Sequence, residues 1–189
     1  MLSAVIATHE SERRLVPTLA ALVPGATSGL LSEVIVVDCG SRDATADVAD
    51  FAGCRFMTSP APVGARLKAA ALSSRTPWLM FLRPGCVPAP GWIEEVGRFV
   101  QTSDLADRAA VFRPTTIADL MRPRLAELVA LARLILGGGQ GPDQGLLISR
   151  RLYDALGGHN DNADAESALL RKLGRKRIVM LTCSAAPPR

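Results

Sequence analysis

The stretch from Glu33 to Asp43, EVIVVDCGSRD, constrains the fold more than any other part of the chain. Val34, Ile35, Val36 and Val37 form an unbroken β-branched run that ends at Asp38, and Cys39, Gly40, Ser41 and Asp43 follow as a turn. A strand that is apolar at every position has to be covered on both faces, the condition of an interior strand in a parallel sheet. Asp38 then falls at the carboxyl edge of that strand, where ligands bind in open α/β sheets. The plainer alternative is that Asp38 and Ser41 only turn the chain and cap the next helix.

The rest of the first half repeats this theme. Residues 3–8 (SAVIAT), 55–58, 78–82 (WLMFL) and 109–113 read as strands. Helices are expected over 11–23, with Ser11 as N-cap, and over 45–52, 65–74 and 92–100. Strands alternating with helices of this length predict right-handed βαβ units and a mainly parallel sheet. In the second half, 125–136 (LAELVALARLIL) is an apolar helix stopped by Gly137, Gly138 and Gly139. A strand at 146–149, a helix at 150–156, a polar loop carrying His159, Asp161 and Asp164, a helix at 166–173 and a strand at 177–182 complete the pattern. Residues 185–189 are expected to fray.

Composition narrows the function classes. At 189 residues the chain suits one domain with a full core. It has no run of eighteen apolar residues, and its first residues lack the basic segment and cleavage site of a signal peptide. Cys39, Cys54, Cys86 and Cys183 are scattered, which fits reduced thiols in a cytoplasmic protein better than a disulfide framework or zinc site. A net charge of +4 suits phosphate-bearing small molecules or an anionic membrane surface. With aromatics at 4%, there is no nucleic-acid footprint.

With the elements placed, the chain resembles a family 2 glycosyltransferase of the GT-A fold, a three-layer α/β sandwich with a mainly parallel central sheet. The likeness is to the short bacterial branch that is little more than a catalytic core. It spans residues 2–182 and is strongest in VIATHES (5–11), EVIVVDCGSRDATADVA (33–49) and GPDQGLLISRRLYDALGG (141–158). The resemblance implies one domain, with 1–113 as the nucleotide-binding half, 114–184 as the acceptor-side half and a short tail. It implies that Thr8, His9 and Glu10 contact the nucleotide and that Asp38, with Ser41 beside it, binds the uracil or ribose. Residues 64–68 would approach the diphosphate, and Asp143 and Gln144 the transferred sugar or acceptor. A UDP-sugar is the implied donor; the acceptor is not implied. The residues agree in part on their own terms: Arg66 and Lys68 place two cations near a helix start, where phosphate is favoured. Their plainer reading is a solvated helix face, and that of His9 is a surface loop.

The chain departs from the family at two places. Metal-dependent members carry an Asp-x-Asp-type pair after the strand matching 78–82, holding a Mg²⁺ or Mn²⁺ that bridges the diphosphate. Here the segment reads Arg83, Pro84, Gly85, Cys86, so a metal of the usual kind is not expected. Either Arg83 neutralises the diphosphate in its place, with Arg66 and Lys68, or the protein binds a nucleotide without turning it over. The second departure is the Glu-Asp pair that supplies the catalytic base: the segment reads NDNADAES, leaving Asp164 as the candidate base, with Asp161 and Glu166 as alternatives and N-capping as its plainer role. A nucleotidyltransferase is disfavoured, because no G-x-G-T/S-x-R/M signature occurs. The 125–136 helix is either core or a membrane-surface helix serving a lipid-linked acceptor at the inner membrane face.

Overall fold

The computed structural model describes residues 1–102, 107–114, 144–162 and 164–186. The expected helix at 125–136, the glycine run after it and Asp143 lie outside them. The chain runs β1 (Leu2–Thr8), α1 (Glu12–Thr27), β2 (Leu31–Asp38), α2 (Thr45–Phe51), β3 (Arg55–Thr58), α3 (Val63–Ser73), β4 (Trp78–Leu82), β5 (Val87–Pro88), α4 (Trp92–Gln101) and β6 (Ala109–Pro114). Then come β7 (Leu146–Ser149), α5 (Arg150–Ala155), α6 (Ala165–Leu173), a 3₁₀ turn (Arg175–Arg177) and β8 (Ile178–Ala186).

One sheet holds all of these strands in the order β3-β2-β1-β4-β7-β6-β8-β5. The first four run parallel, while β7 enters antiparallel between β4 and β6. The chain's mixed α/β architecture and mainly parallel sheet follow from the patterning. Alternation along β4 sends Trp78, Met80 and Leu82 to one face and Leu79 and Phe81 to the other. The first face packs under α1 and α4, through Leu15, Leu19, Leu22, Trp92 and Val96. The second packs under α3, α5 and α6, through Leu67, Ala70, Leu152, Tyr153 and Leu169. Every residue of β4 is buried, as a strand covered on both faces requires.

Two boundaries differ from the sequence pattern, each for a tertiary reason. Helix α1 continues through Pro24 to Thr27 instead of ending at 23. Gly25 is there for close packing: a Cβ on it would lie 2.4 Å from the Trp92 ring, whose indole nitrogen donates to the Ala21 carbonyl at 3.0 Å. Strand β8 continues to Ala186, so Ala185 and Ala186 do not fray; they pair with Pro88 and Val87 of β5. The Glu95 carboxylate on α4 holds this extension by accepting from the amides of Thr182 and Cys183.

Gly64 explains how the helix face closes around the site edge. A Cβ there would fall 1.8 Å from the Asn160 carbonyl oxygen and 2.5 Å from the Ala165 Cβ, so only glycine lets α3 approach the start of α6. Because backbone cannot yield as a side-chain tip does, Gly64→Ala is expected to destabilise the protein by about 3 kcal/mol. Urea unfolding checks this: the midpoint falls while the slope is unchanged.

Candidate functional site

The carboxyl ends of β1 and β2 are joined by a knot of hydrogen bonds centred on Asp38, which is 2% exposed. Its Oδ1 accepts from the Thr8 hydroxyl at 2.7 Å and the Ser41 hydroxyl at 2.6 Å. Its Oδ2 accepts from the amides of Gly40 at 2.7 Å and Ser41 at 2.6 Å. These four donors fill the acceptor capacity of an ionised carboxylate. Burial pushes the carboxyl upward, but the Ser41 hydroxyl and amide, the Thr8 hydroxyl and the Gly40 amide outweigh it and hold it below the usual range. A ligand that touches Asp38 has to share or replace one of these bonds.

The two loops are zipped beyond the knot as well. The Glu10 amide donates to the Ser41 hydroxyl at 2.7 Å, and the Glu10 carboxylate accepts from the Arg42 amide at 2.7 Å. Asp43 accepts from the first amide of α1, Glu12, at 3.0 Å and from that of α2, Thr45, at 3.1 Å. One side chain therefore satisfies the exposed amide ends of two helices. Ser11 precedes α1 as expected, yet its side chain makes no cap bond there; Asp43 takes that work. Glu10 sits at φ 46°, a left-handed conformation unusual for a side chain with a Cβ, and is exposed together with His9. Of the nucleotide-contacting candidates, Thr8 and Asp38 lie inside the knot, Ser41 at its rim, and His9 and Glu10 on its outer surface.

Arg66 sits beneath this edge, 7% exposed. Its Nη1 donates to the carbonyls of Thr8 at 2.8 Å and Val37 at 2.9 Å, and its Nε to that of Ala61 at 3.1 Å. Arg66 thus ties β1, β2 and the start of α3 together while adding positive charge below the sheet edge. Lys68 is half-buried on another side of α3, because residues two apart on a helix leave it roughly 200° apart. The two cations therefore face different sides of α3.

Arg83 follows β4, the neighbour of β1. Its Nε donates to Glu166 Oε2 at 2.8 Å, and its Nη2 pairs with the same oxygen. Glu166 stands in the first turn of α6. Asp164 does not share this position. It precedes α6, its side chain 62% exposed, and pairs with Arg171 at 2.9 Å along the helix exterior. The Ser167 hydroxyl and Arg171 hold its carboxyl below the usual range. The carboxylate that the fold brings to Arg83 is Glu166, one of the two alternatives to Asp164. The sequence carried the signal, since Glu166 lies two residues on and points to a different side of the helix.

Gln144 stands just before β7, beyond the Phe81–Leu146 pairing, and so at the same edge as Arg83. Its Oε1 is buried without a hydrogen-bond partner among the described residues. The donor set does not fit a divalent ion held by an acid pair: the segment after β4 offers a guanidinium and no carboxylate, and Glu166 is bonded to that guanidinium.

His159, in the polar loop before α6, is held inside the fold. It is 1% exposed, and its ring centroid lies 4.7 Å from that of Phe81, with Nδ1 at 2.9 Å from the Tyr153 hydroxyl. Burial, helped by the charge of Lys172, pushes the imidazole down to about 4.

The glycosyl transferase family 2 model matches residues 3–125, about two-thirds of the chain. The chain belongs to this family. No curated protein sequence matches it. Among solved structures, glucosyl-3-phosphoglycerate synthase of Mycobacterium tuberculosis is similar in fold. Its complex with Mn²⁺, UDP and glucosyl-3-phosphoglycerate superposes with a TM-score of 0.73 at 20% identity, covering 100% of this chain and 72% of that one. A second structure of that enzyme gives 0.69 at 23% identity, covering 95% and 69%. Its complex with Mn²⁺, UDP-glucose and phosphoglyceric acid gives 0.70 at 21% identity, covering 95% and 68%.

Two outcomes follow from the buried ionisable groups of this family 2 domain. Asp38→Asn points amide hydrogens at amide donors and is expected to cost about 3 kcal/mol in urea unfolding. Because His159 is held neutral in the folded state, unfolding takes up a proton between its ordinary 6.5 and about 4. Stability therefore falls as pH drops through that window, by up to about 1.4 kcal/mol per unit. Urea midpoints measured from pH 7 to pH 4 check this, and His159→Phe should flatten the profile.

Proposed function

We propose that the chain is a glycosyltransferase that binds a UDP-sugar at the carboxyl edge of β1, β2 and β4 and transfers the sugar to an acceptor hydroxyl without a divalent metal. The observation that carries this reading is Arg83, a guanidinium following β4 where the acid pair of metal-dependent relatives is missing. Arginine supplies fixed positive charge and a fork that matches phosphate oxygens, so it can neutralise the leaving diphosphate directly. Arg66 adds positive charge from below, and Thr8, Asp38 and Ser41 shape the loop that receives the nucleoside. His9 and Glu10 border that loop from its exposed side, Lys68 flanks it from α3, and Asp143 and Gln144 serve the sugar or acceptor. Structures of a similar fold hold UDP, UDP-glucose and Mn²⁺, which supports the donor class.

The nucleotide half covers 1–113 and the acceptor half 114–184, in a single cytoplasmic domain. No helix among the described residues is long and apolar enough to cross a membrane. A second reading, a nucleotide-binding protein without turnover, is favoured by the engagement of both candidate catalytic groups, Arg83 with Glu166 and Asp164 with Arg171.

Hydrolysis of UDP-glucose separates the two. Transfer without metal predicts turnover that persists in chelator and drops by about 10²-fold or more in Arg83→Ala. Saturable UDP binding with no turnover in the wild type selects the binding protein. Absence of any rise in melting temperature with millimolar UDP or UDP-glucose contradicts both.

A further inference from the structure

The edge of the sheet opposite the site carries a charge pattern of its own. Register sets Trp78 beside Ser149, and Ala109 between Ile148 and Ile178. The starts of β4, β6 and β8 and the end of β7 therefore share the amino edge, across four adjacent strands spanning about 15 Å. Arg75 lies just before β4, Arg108 just before β6, Arg151 just after β7, and Arg175, Lys176 and Arg177 just before β8. All six are exposed, and none makes an ion pair among the described residues. Asp107 is the one acid in these described stretches, so this edge is more positive than the +4 of the whole chain. Arg150 fastens the first stretch to the third: its amide donates to the Pro77 carbonyl at 2.8 Å and its Nε to that of Thr76 at 2.9 Å.

We propose that this basic edge docks the protein on an anionic phospholipid surface. A layer of acidic headgroups asks only for charge, and each arginine or lysine held near it strengthens binding roughly fivefold. A protein partner needs an apolar centre from which water is excluded. The large apolar side chains exposed among the described residues all lie outside these stretches. A single nucleic-acid strand needs aromatic rings to stack on, and these stretches hold none. Because β1, β2 and β4 run parallel, docking by their amino edge leaves Asp38 and Arg83 pointing away from the lipid. Molecules that enter the site then reach it from water. The inference stands whether or not the site turns over a nucleotide sugar.

The test is flotation with phosphatidylcholine vesicles, with and without one-third phosphatidylglycerol, at about 0.15 M salt. Wild type is expected to float with the acidic vesicles alone, and to leave them at about 1 M salt, where charges are screened within about 3 Å. Lys176→Gln combined with Arg177→Gln is expected to weaken binding about 20-fold or more. Arg13→Gln combined with Arg14→Gln removes the same charge from the exposed first turn of α1, at the opposite edge. That pair is expected to leave binding within about twofold, since it lies beyond a Debye length from the lipid. Equal losses in the two double variants overturn the assignment to this edge, as does wild type that floats with neither vesicle. Binding that survives the high salt overturns the charge mechanism, and binding to duplex DNA with none to vesicles overturns the lipid partner. Should the first pair fail to fold, Arg108→Gln combined with Arg175→Gln, from two separate loops, carries the same prediction.

Discussion

The site depends first on the carboxylate of Asp38 and the four donors around it. A buried carboxylate is costly unless each of its acceptor positions is met. Here two hydroxyls and two amides meet them, from β1 and from the loop after β2. The same bonds that stabilise the charge fix the two loops against each other. Arg66 fixes the same strand ends from the other side by binding the carbonyls of Thr8 and Val37. The sheet edge is therefore shaped before any ligand arrives, as recognition of a nucleoside requires.

Much of this was legible in the chain, for identifiable reasons. The Val34–Val37 run and WLMFL could only be interior strands, and the structure sets them in β2 and β4, two strands flanking β1. The Trp78–Leu82 and Leu146–Ser149 boundaries agree because β-branched or bulky apolar runs meet turn residues there. The pattern was silent where contacts from far along the chain decide. Pro24 and Gly25 look like a helix stop until Trp92 packs against them. The 3₁₀ turn and two-residue β5 have no period to detect, and β8 outruns its apolar pattern because Glu95 holds it.

The site residues show the same division. That Asp38 lies at a strand edge follows from local pattern, but its complete engagement by neighbours does not. Arg66 and Lys68 are close in sequence and separated by helix geometry. Asp164 and Glu166 part for the same reason: two residues along the chain turn one carboxylate outward to Arg171 and the other inward to Arg83. Local spacing locates a charged cluster, whereas the direction of each side chain depends on the helix phase.

The chemical consequence is concentrated at Arg83. A divalent ion needs hard oxygen donors, and the segment after β4 supplies a guanidinium in their stead. The function proposed above replaces metal-bridged diphosphate binding with a direct arginine–phosphate contact at the sheet edge. Its most direct test is a crystal structure of the protein soaked with UDP in the presence of a chelator. The account predicts the UDP phosphates against the Arg83 guanidinium at charge-assisted hydrogen-bond distance, about 2.7–2.9 Å, with no ion between them. Phosphates that bind only after Mn²⁺ or Mg²⁺ is added, bridged by the ion and out of reach of Arg83, would contradict it.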